Sequence, residues 1–151
     1  MVVTRSVTMV VASLALAGLA GCATRGNLTN AAKNLEYNAN ALVRDAGNEI
    51  AGTARDEDAG SEYAADYARD ARALAHSAHE LRVAVEDRAS DSEVRAAFDR
   101  VRRNYHAVRD EVTHSDSRVA RRDFGPVTDS YRAVEHELGI YPARDEYIPP
   151  A

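Results

Sequence analysis

Four stretches of this chain repeat apolar residues at alternating spacings of four and three. The first runs Leu28, Ala32, Leu35, Ala39, Leu42 and Ala46, extended by Ile50. The second runs Tyr67, Ala71, Leu74, Ala78, Leu81 and Val85. The third is Val94, Phe98, Val101, Tyr105, Val108 and Val112, and the fourth is Phe124, Val127, Tyr131, Val134 and Leu138. A mean period of 3.5 residues keeps one narrow seam turned toward neighbouring helices, as in bundles and coiled coils, and is incompatible with the two-residue alternation of a strand. The expectation is an all-α fold over residues 28–139: an antiparallel, up-down-up-down four-helix bundle.

The interruptions agree with that frame. Gly52 and the polar run Arg55 to Ser61 separate the first two segments, with Ser61 placed to cap the second. Ser90-Asp91-Ser92-Glu93 spells a capping box, in which the Ser90 hydroxyl accepts from the Glu93 amide and Glu93 reaches back. Ser115-Asp116-Ser117 divides the third from the fourth. Short connections make consecutive helices antiparallel neighbours. Gly125-Pro126 leaves two options, because proline lacks an amide hydrogen and disfavours helix before it. The fourth helix either begins at Pro126 or begins near Ser117 and bends; the helix-compatible Ser117 to Arg122 argues for the second. Gly139 is placed to end this helix as its C′ residue. Pro142, Pro149 and Pro150 make residues 140–151 a short extended tail, with Tyr141, Tyr147 and Ile148 as its apolar side chains. An internal repeat at an offset of 57 aligns Asp66-Tyr67 and His79-Glu80-Leu81 with Asp123-Phe124 and His136-Glu137-Leu138, which suggests two related hairpins.

Ahead of the bundle, Arg5 is the only charge in the first 22 residues, and a mostly apolar run follows from Val7 to Leu19. The run is short for a bilayer of ~30 Å, and with its basic start and small-residue exit it reads as a secretory signal. It ends in Leu19-Ala20-Gly21-Cys22, whose cysteine is the only one in the chain. This stretch resembles the signal peptide and lipobox of bacterial lipoproteins. The resemblance covers residues 1–22. It implies removal of residues 1–21, acylation of Cys22 (a palmitate-type modification), and attachment to the bilayer through two or three chains, each buried CH₂ adding ~0.8 kcal/mol. Ala23 and Thr24 lack the aspartate associated with inner-membrane retention, so the resemblance points to the outer membrane, facing the periplasm. Residues 22–27 are then the acylated cysteine and a short tether; at ~3.5 Å per extended residue, Ala23 to Gly26 reach only ~15 Å.

One of the 19 basic residues, Arg5, precedes Cys22, which leaves 18 against 24 acidic residues and a formal charge of −6 on the mature part. That balance, with export, argues against nucleic acid as a partner. With Cys22 acylated, no disulfide and no cysteine metal site can form within one chain.

His76 and His79 stand at i, i+3 with Glu80 adjacent, a spacing that could supply half of a Zn²⁺, Cu²⁺ or Ni²⁺ site. Such a pair on a helix surface is more often solvated than ligating. A di-iron core requires paired Glu-x-x-His motifs, and only Glu111 to His114 fits. Cys-x-x-Cys-His is missing, and both methionines, Met1 and Met9, lie in the signal, so c-type and His/Met haem ligation are ruled out. Arg95, Arg102 and Arg109 recur at seven residues, with Arg103, Arg118, Arg121 and Arg122 nearby; they could form a basic strip for lipid head groups or lipopolysaccharide phosphates, but read first as a solvated face whose partners across the bundle are acidic clusters such as Asp56-Glu57-Asp58 and Glu62/Asp66/Asp70. No nucleophile elbow or phosphate loop is present. The sequence therefore points to a non-enzymatic, membrane-anchored envelope protein without a cofactor, whose helical domain binds or scaffolds an envelope-protein or cell-wall partner. The alternative is a bundle that binds a metal ion or small molecule.

Overall fold

The computed structural model describes the backbone of residues 17–53, 61–115 and 118–140, and the side chains of 25–47, 63–115 and 118–140. The apolar stretch before residue 17, the side chain of Cys22, the acidic cluster 56–58, Ser117 and the 141–151 tail lie outside the described residues. Four helices make up the rest: α1 (Ala17–Thr53), α2 (Ser61–Glu86), α3 (Asp91–His114) and α4 (Arg118–Glu137).

The helices form a ring, α1 beside α2, α2 beside α3, α3 beside α4 and α4 beside α1, with no close backbone approach across either diagonal. Cross-helix bonds fix the directions. Arg25 reaches Ala89 while Glu36 reaches Arg82, so α1 and α2 run antiparallel. Tyr63 meets Glu111 and Asn104 meets Ala73, which sets α2 against α3. Arg95 meets Leu138 and Tyr105 meets Thr128, which does the same for α3 and α4. The architecture is the antiparallel four-helix bundle that the 3.5-residue seam demands. Every seam residue from Leu28 to Val134 whose side chain is described is buried in one continuous core. Each of the fully enclosed Leu, Val and Phe side chains contributes roughly 1.5–3 kcal/mol.

Two half-buried asparagines pin the register, and they do so identically. Asn104 Nδ2 donates to the Ala73 carbonyl at 3.0 Å and to Ser77 Oγ at 3.1 Å. Asn38 Nδ2 donates to the Pro126 carbonyl at 3.0 Å and to Ser130 Oγ at 3.3 Å. In each case the carbonyl lies one turn before the serine. The clamps equate α1 with α3 at an offset of 66 and α2 with α4 at an offset of 53, so the second helices correspond one helical turn away from the offset of 57 expected from the sequence. In this register Ala32, Ala39, Ala71 and Ala78 correspond to Phe98, Tyr105, Phe124 and Tyr131. Small residues let α1 and α2 approach closely. The aromatic four hold the α3 and α4 backbones apart and fill the space between them.

Local chemistry explains the helix ends. The Ser90–Glu93 capping box is present in both directions. α2 and α4 close with the same Schellman arrangement. Ala89 N donates to Ala84 O and Arg88 N to Val85 O; Ile140 N donates to Glu135 O and Gly139 N to His136 O. The left-handed residue is Gly139 (φ 66) in one and Arg88 (φ 57) in the other. α4 begins at Arg118 and runs through Pro126, not from it. The missing proline amide costs the Arg122 carbonyl its intrahelical donor, and the Pro126 carbonyl is claimed by Asn38 and Ser130.

One expectation is corrected. Ala23 to Gly26, read as an extended tether, is helical backbone within α1. Thr29 Oγ1 donates to the Arg25 carbonyl four residues earlier at 2.9 Å, the back-bond of a helical threonine. Arg25 itself is held by the Ala89 carbonyl. Among the described residues, no helix is long and apolar enough to cross a membrane.

Candidate functional site

The sequence singles out His76, His79 and Glu80, and the bundle divides them between two neighbours. Both histidines sit on the exposed side of α2. His79 turns to α1, with Nδ1 2.7 Å from Glu36 Oε1. His76 stays with its own helix, 3.5 Å from Glu80 Oε1, while the other Glu80 oxygen accepts from Arg100 of α3 at 2.9 Å. The three groups do not converge on one point, and no set of three metal-ligating side chains comes together among the described residues. An arginine on each carboxylate, Arg82 on Glu36 and Arg100 on Glu80, supplies the positive charge that a metal ion would otherwise bring.

What the α1–α2 face does build is a charged clasp. Arg82 donates from Nε to Glu36 and from Nη1 to Glu86, and Lys33 Nζ lies 3.1 Å from the other Glu86 oxygen. Partial burial works against the Glu36 charge, but hydrogen bonds from His79 and Arg82 outweigh it, and the carboxyl is held below its ordinary range. Glu86 is lowered too, first by its bond from Lys33. The Arg82 guanidinium is raised, chiefly by Glu36. The clasp joins two helices whose Ala-rich seam brings them close. Its chemistry is that of a fastening: each acid already faces a cation.

The α3–α4 seam is the other organised feature. Phe98, Tyr131, Tyr105 and Phe124 form a continuous stack with ring centroids 5.5, 4.0 and 5.2 Å apart; the central pair of tyrosines is parallel. The Tyr105 hydroxyl donates to Thr128 Oγ1 at 3.2 Å, and burial pushes its pKa upward. Arg132, Arg109 and Glu135 lie near enough for their charges to act on it. Glu135 is 5% exposed, the one buried carboxylate among the described residues. Sequence reasoning does not reveal it; the only available signal is its place one turn after the seam residue Tyr131. The four rings are read from the sequence as core, and they are core. They stack on one another.

The arginine strip is dispersed in the same way. Arg102 pairs with Asp99, Arg109 with Asp110 and Arg122 with Asp123, so α3 and α4 carry interleaved charge. Asp66 and Asp70 are both engaged by Arg69 of their own helix. Comparison with protein-family models, curated proteins and solved structures finds no match to this chain.

Proposed function

We propose that this protein is an envelope lipoprotein, held in the bilayer through acyl chains on Cys22 and facing the periplasm, whose four-helix bundle is a non-enzymatic interaction or scaffold domain. The observation that carries the reading is Leu19-Ala20-Gly21-Cys22 behind a short apolar run with a basic start. The outer membrane is the favoured site, from the residues that follow the cysteine. Supporting the non-enzymatic part is the state of the polar groups. Glu36, Glu80 and Glu86 each meet a lysine or arginine, and the tyrosines of the α3–α4 seam are packed in a ring stack. The partner is an envelope protein or a cell-wall component.

Mass spectrometry of the intact protein from detergent-solubilised membranes tests the anchor. The expected species begins at Cys22 and carries the added mass of two or three acyl chains. A bare chain beginning at Ala23 would overturn the assignment. Native mass spectrometry of the same material tests the scaffold reading. A stoichiometric metal ion or small molecule in that spectrum would replace it with a ligand-binding one.

A further inference from the structure

The anchor point and the α2–α3 turn are neighbours. Arg25 lies three residues after Cys22, and its Nη2 donates to the Ala89 carbonyl in that turn at 2.9 Å. The backbone between Cys22 and Leu28 is helical, so six residues advance only about 9 Å. The turn therefore has no room to stand clear of a bilayer that holds Cys22. At its tip is Arg88, exposed and in the left-handed region that Gly139 supplies with glycine at the equivalent end of α4. A non-glycine residue kept in that conformation points to a use for its side chain. Arg95 is exposed at the same end, reaching the Leu138 carbonyl at the end of α4. Three carboxylates accompany the three arginines: Asp87, Asp91, and Glu93, which the capping box holds. Glu86 and Glu137 nearby are engaged by Lys33 and Arg82 and by His136. Balanced charge of this kind matches a zwitterionic surface, with guanidinium on phosphate and carboxylate on ammonium.

We propose that this end of the bundle is a foot seated on phospholipid headgroups, with Arg25, Arg88 and Arg95 on phosphates and Asp87 and Asp91 on the ammonium groups of ethanolamine lipids. The proposal rests on the reading of Cys22 as the acylated anchor. It sets the far end of the bundle away from the lipid. Asp45, whose charge acts on Arg122 near the start of α4, is 23 residues beyond Cys22, about 35 Å of helix. Because the foot is balanced in charge, its contact with lipid shows no preference for anionic lipid, while its exposed ion pairs weaken as salt rises.

The chain contains no tryptophan, so one introduced indole reports alone. The test uses the acylated protein in vesicles of phosphatidylethanolamine and phosphatidylcholine, with a fraction of the lipid carrying a headgroup nitroxide. Ser92→Trp, in the first turn of α3, is expected to be quenched several-fold more than Thr113→Trp at its other end. Ala96→Trp, one turn further along and also exposed, repeats the test should Ser92→Trp disturb the capping box. Adding Arg88→Gly to the Ser92→Trp protein is expected to reduce the quenching without lowering the melting temperature. Equal quenching at the two ends, in protein that floats with the vesicles, overturns the foot and leaves the anchor standing. Protein that neither floats nor carries acyl mass overturns both.

Discussion

Arg88 and Gly139 occupy the same position in the same helix-ending motif, and the pair allows a quantitative reciprocal test. With φ near 60° at both, an L side chain costs ~1–2 kcal/mol there relative to ordinary helical backbone. Glycine escapes that cost but gives up roughly 0.5–1 kcal/mol of extra conformational entropy from the unfolded chain. The difference makes Arg88→Gly stabilising by about 0.5–1 kcal/mol, and Gly139→Ala destabilising by about the same. A Cβ on Gly139 meets nothing within 4 Å, so that loss reports backbone strain with no steric contribution. Urea unfolding followed by circular dichroism measures both. The midpoints should move in opposite directions at constant m-value, and melting temperatures should shift by roughly 2–6 °C. A lower midpoint for Arg88→Gly would refute the reasoning, since it would mean that the arginine side chain contributes more within the soluble fold than its backbone costs. The expected result gives the foot its sharpest corollary: the substitution that strengthens the fold weakens its seat on lipid.

Three further outcomes follow from the packing. Tyr131→Ala removes the ring 4.0 Å from Tyr105 and 3% exposed, and should cost about 3–5 kcal/mol. Tyr105→Phe keeps the stack, loses only the bond to Thr128 and should cost about 0.5–1.5 kcal/mol; equal losses by chemical denaturation would show that the stack does not hold the seam. Asn104→Ala and Asn38→Ala each orphan a clamp and should cost about 1–2 kcal/mol. Because they lie on diagonally opposite helices, the double variant should show the sum to within about 0.5 kcal/mol. Glu36→Gln should reduce acid sensitivity. A carboxyl lowered in the folded state stabilises above its unfolded value, and that stability is lost as pH falls through the folded value. The gap between wild type and Glu36→Gln in urea midpoint should therefore be widest near neutrality and close on acidification; a gap that grows in acid would contradict the direction assigned to Glu36.

The helices and their directions are legible in the sequence because the seam is made of residues that have one use. Val94 to Val112 at alternating four and three can only face a core, and Ser90 to Glu93 can only start a helix efficiently. The register of the two hairpins is not legible, for a reason built into the helix itself. A helical pattern maps onto itself after three or four residues, so an alignment of exposed residues such as His79-Glu80 with His136-Glu137 fits as well as any other. Only the asparagine clamps, which need a carbonyl and a serine hydroxyl from another helix, break that degeneracy, and they do so one turn away. The histidine pair fails as a site on the same grounds. Spacing places His76 and His79 on one face, but their nearest carboxylates belong to different partners, one of them on α1, and tertiary placement decides which each one meets.

The segment after Cys22 is the most consequential departure. Ala23-Thr24-Arg25-Gly26 carries a threonine and a glycine and, taken locally, suits a linker. Its helical state depends on contacts that no local pattern announces: Leu28 and Ala31 buried just downstream, and Arg25 fastened to a turn 64 residues later. A linker of four extended residues would let the bundle sample a hemisphere above its anchor. A helix fixes the distance at 1.5 Å per residue and couples the orientation of the anchor to that of α1. The bundle then turns as one piece with its anchored end, and the surface nearest the lipid is selected by the fold. On that footing Arg25→Ala is expected to equalise nitroxide quenching between the Ser92→Trp and Thr113→Trp positions. It breaks the bond from Arg25 of α1 to the Ala89 carbonyl in the α2–α3 turn, and quenching that kept its bias toward Ser92 would show the orientation to be set elsewhere.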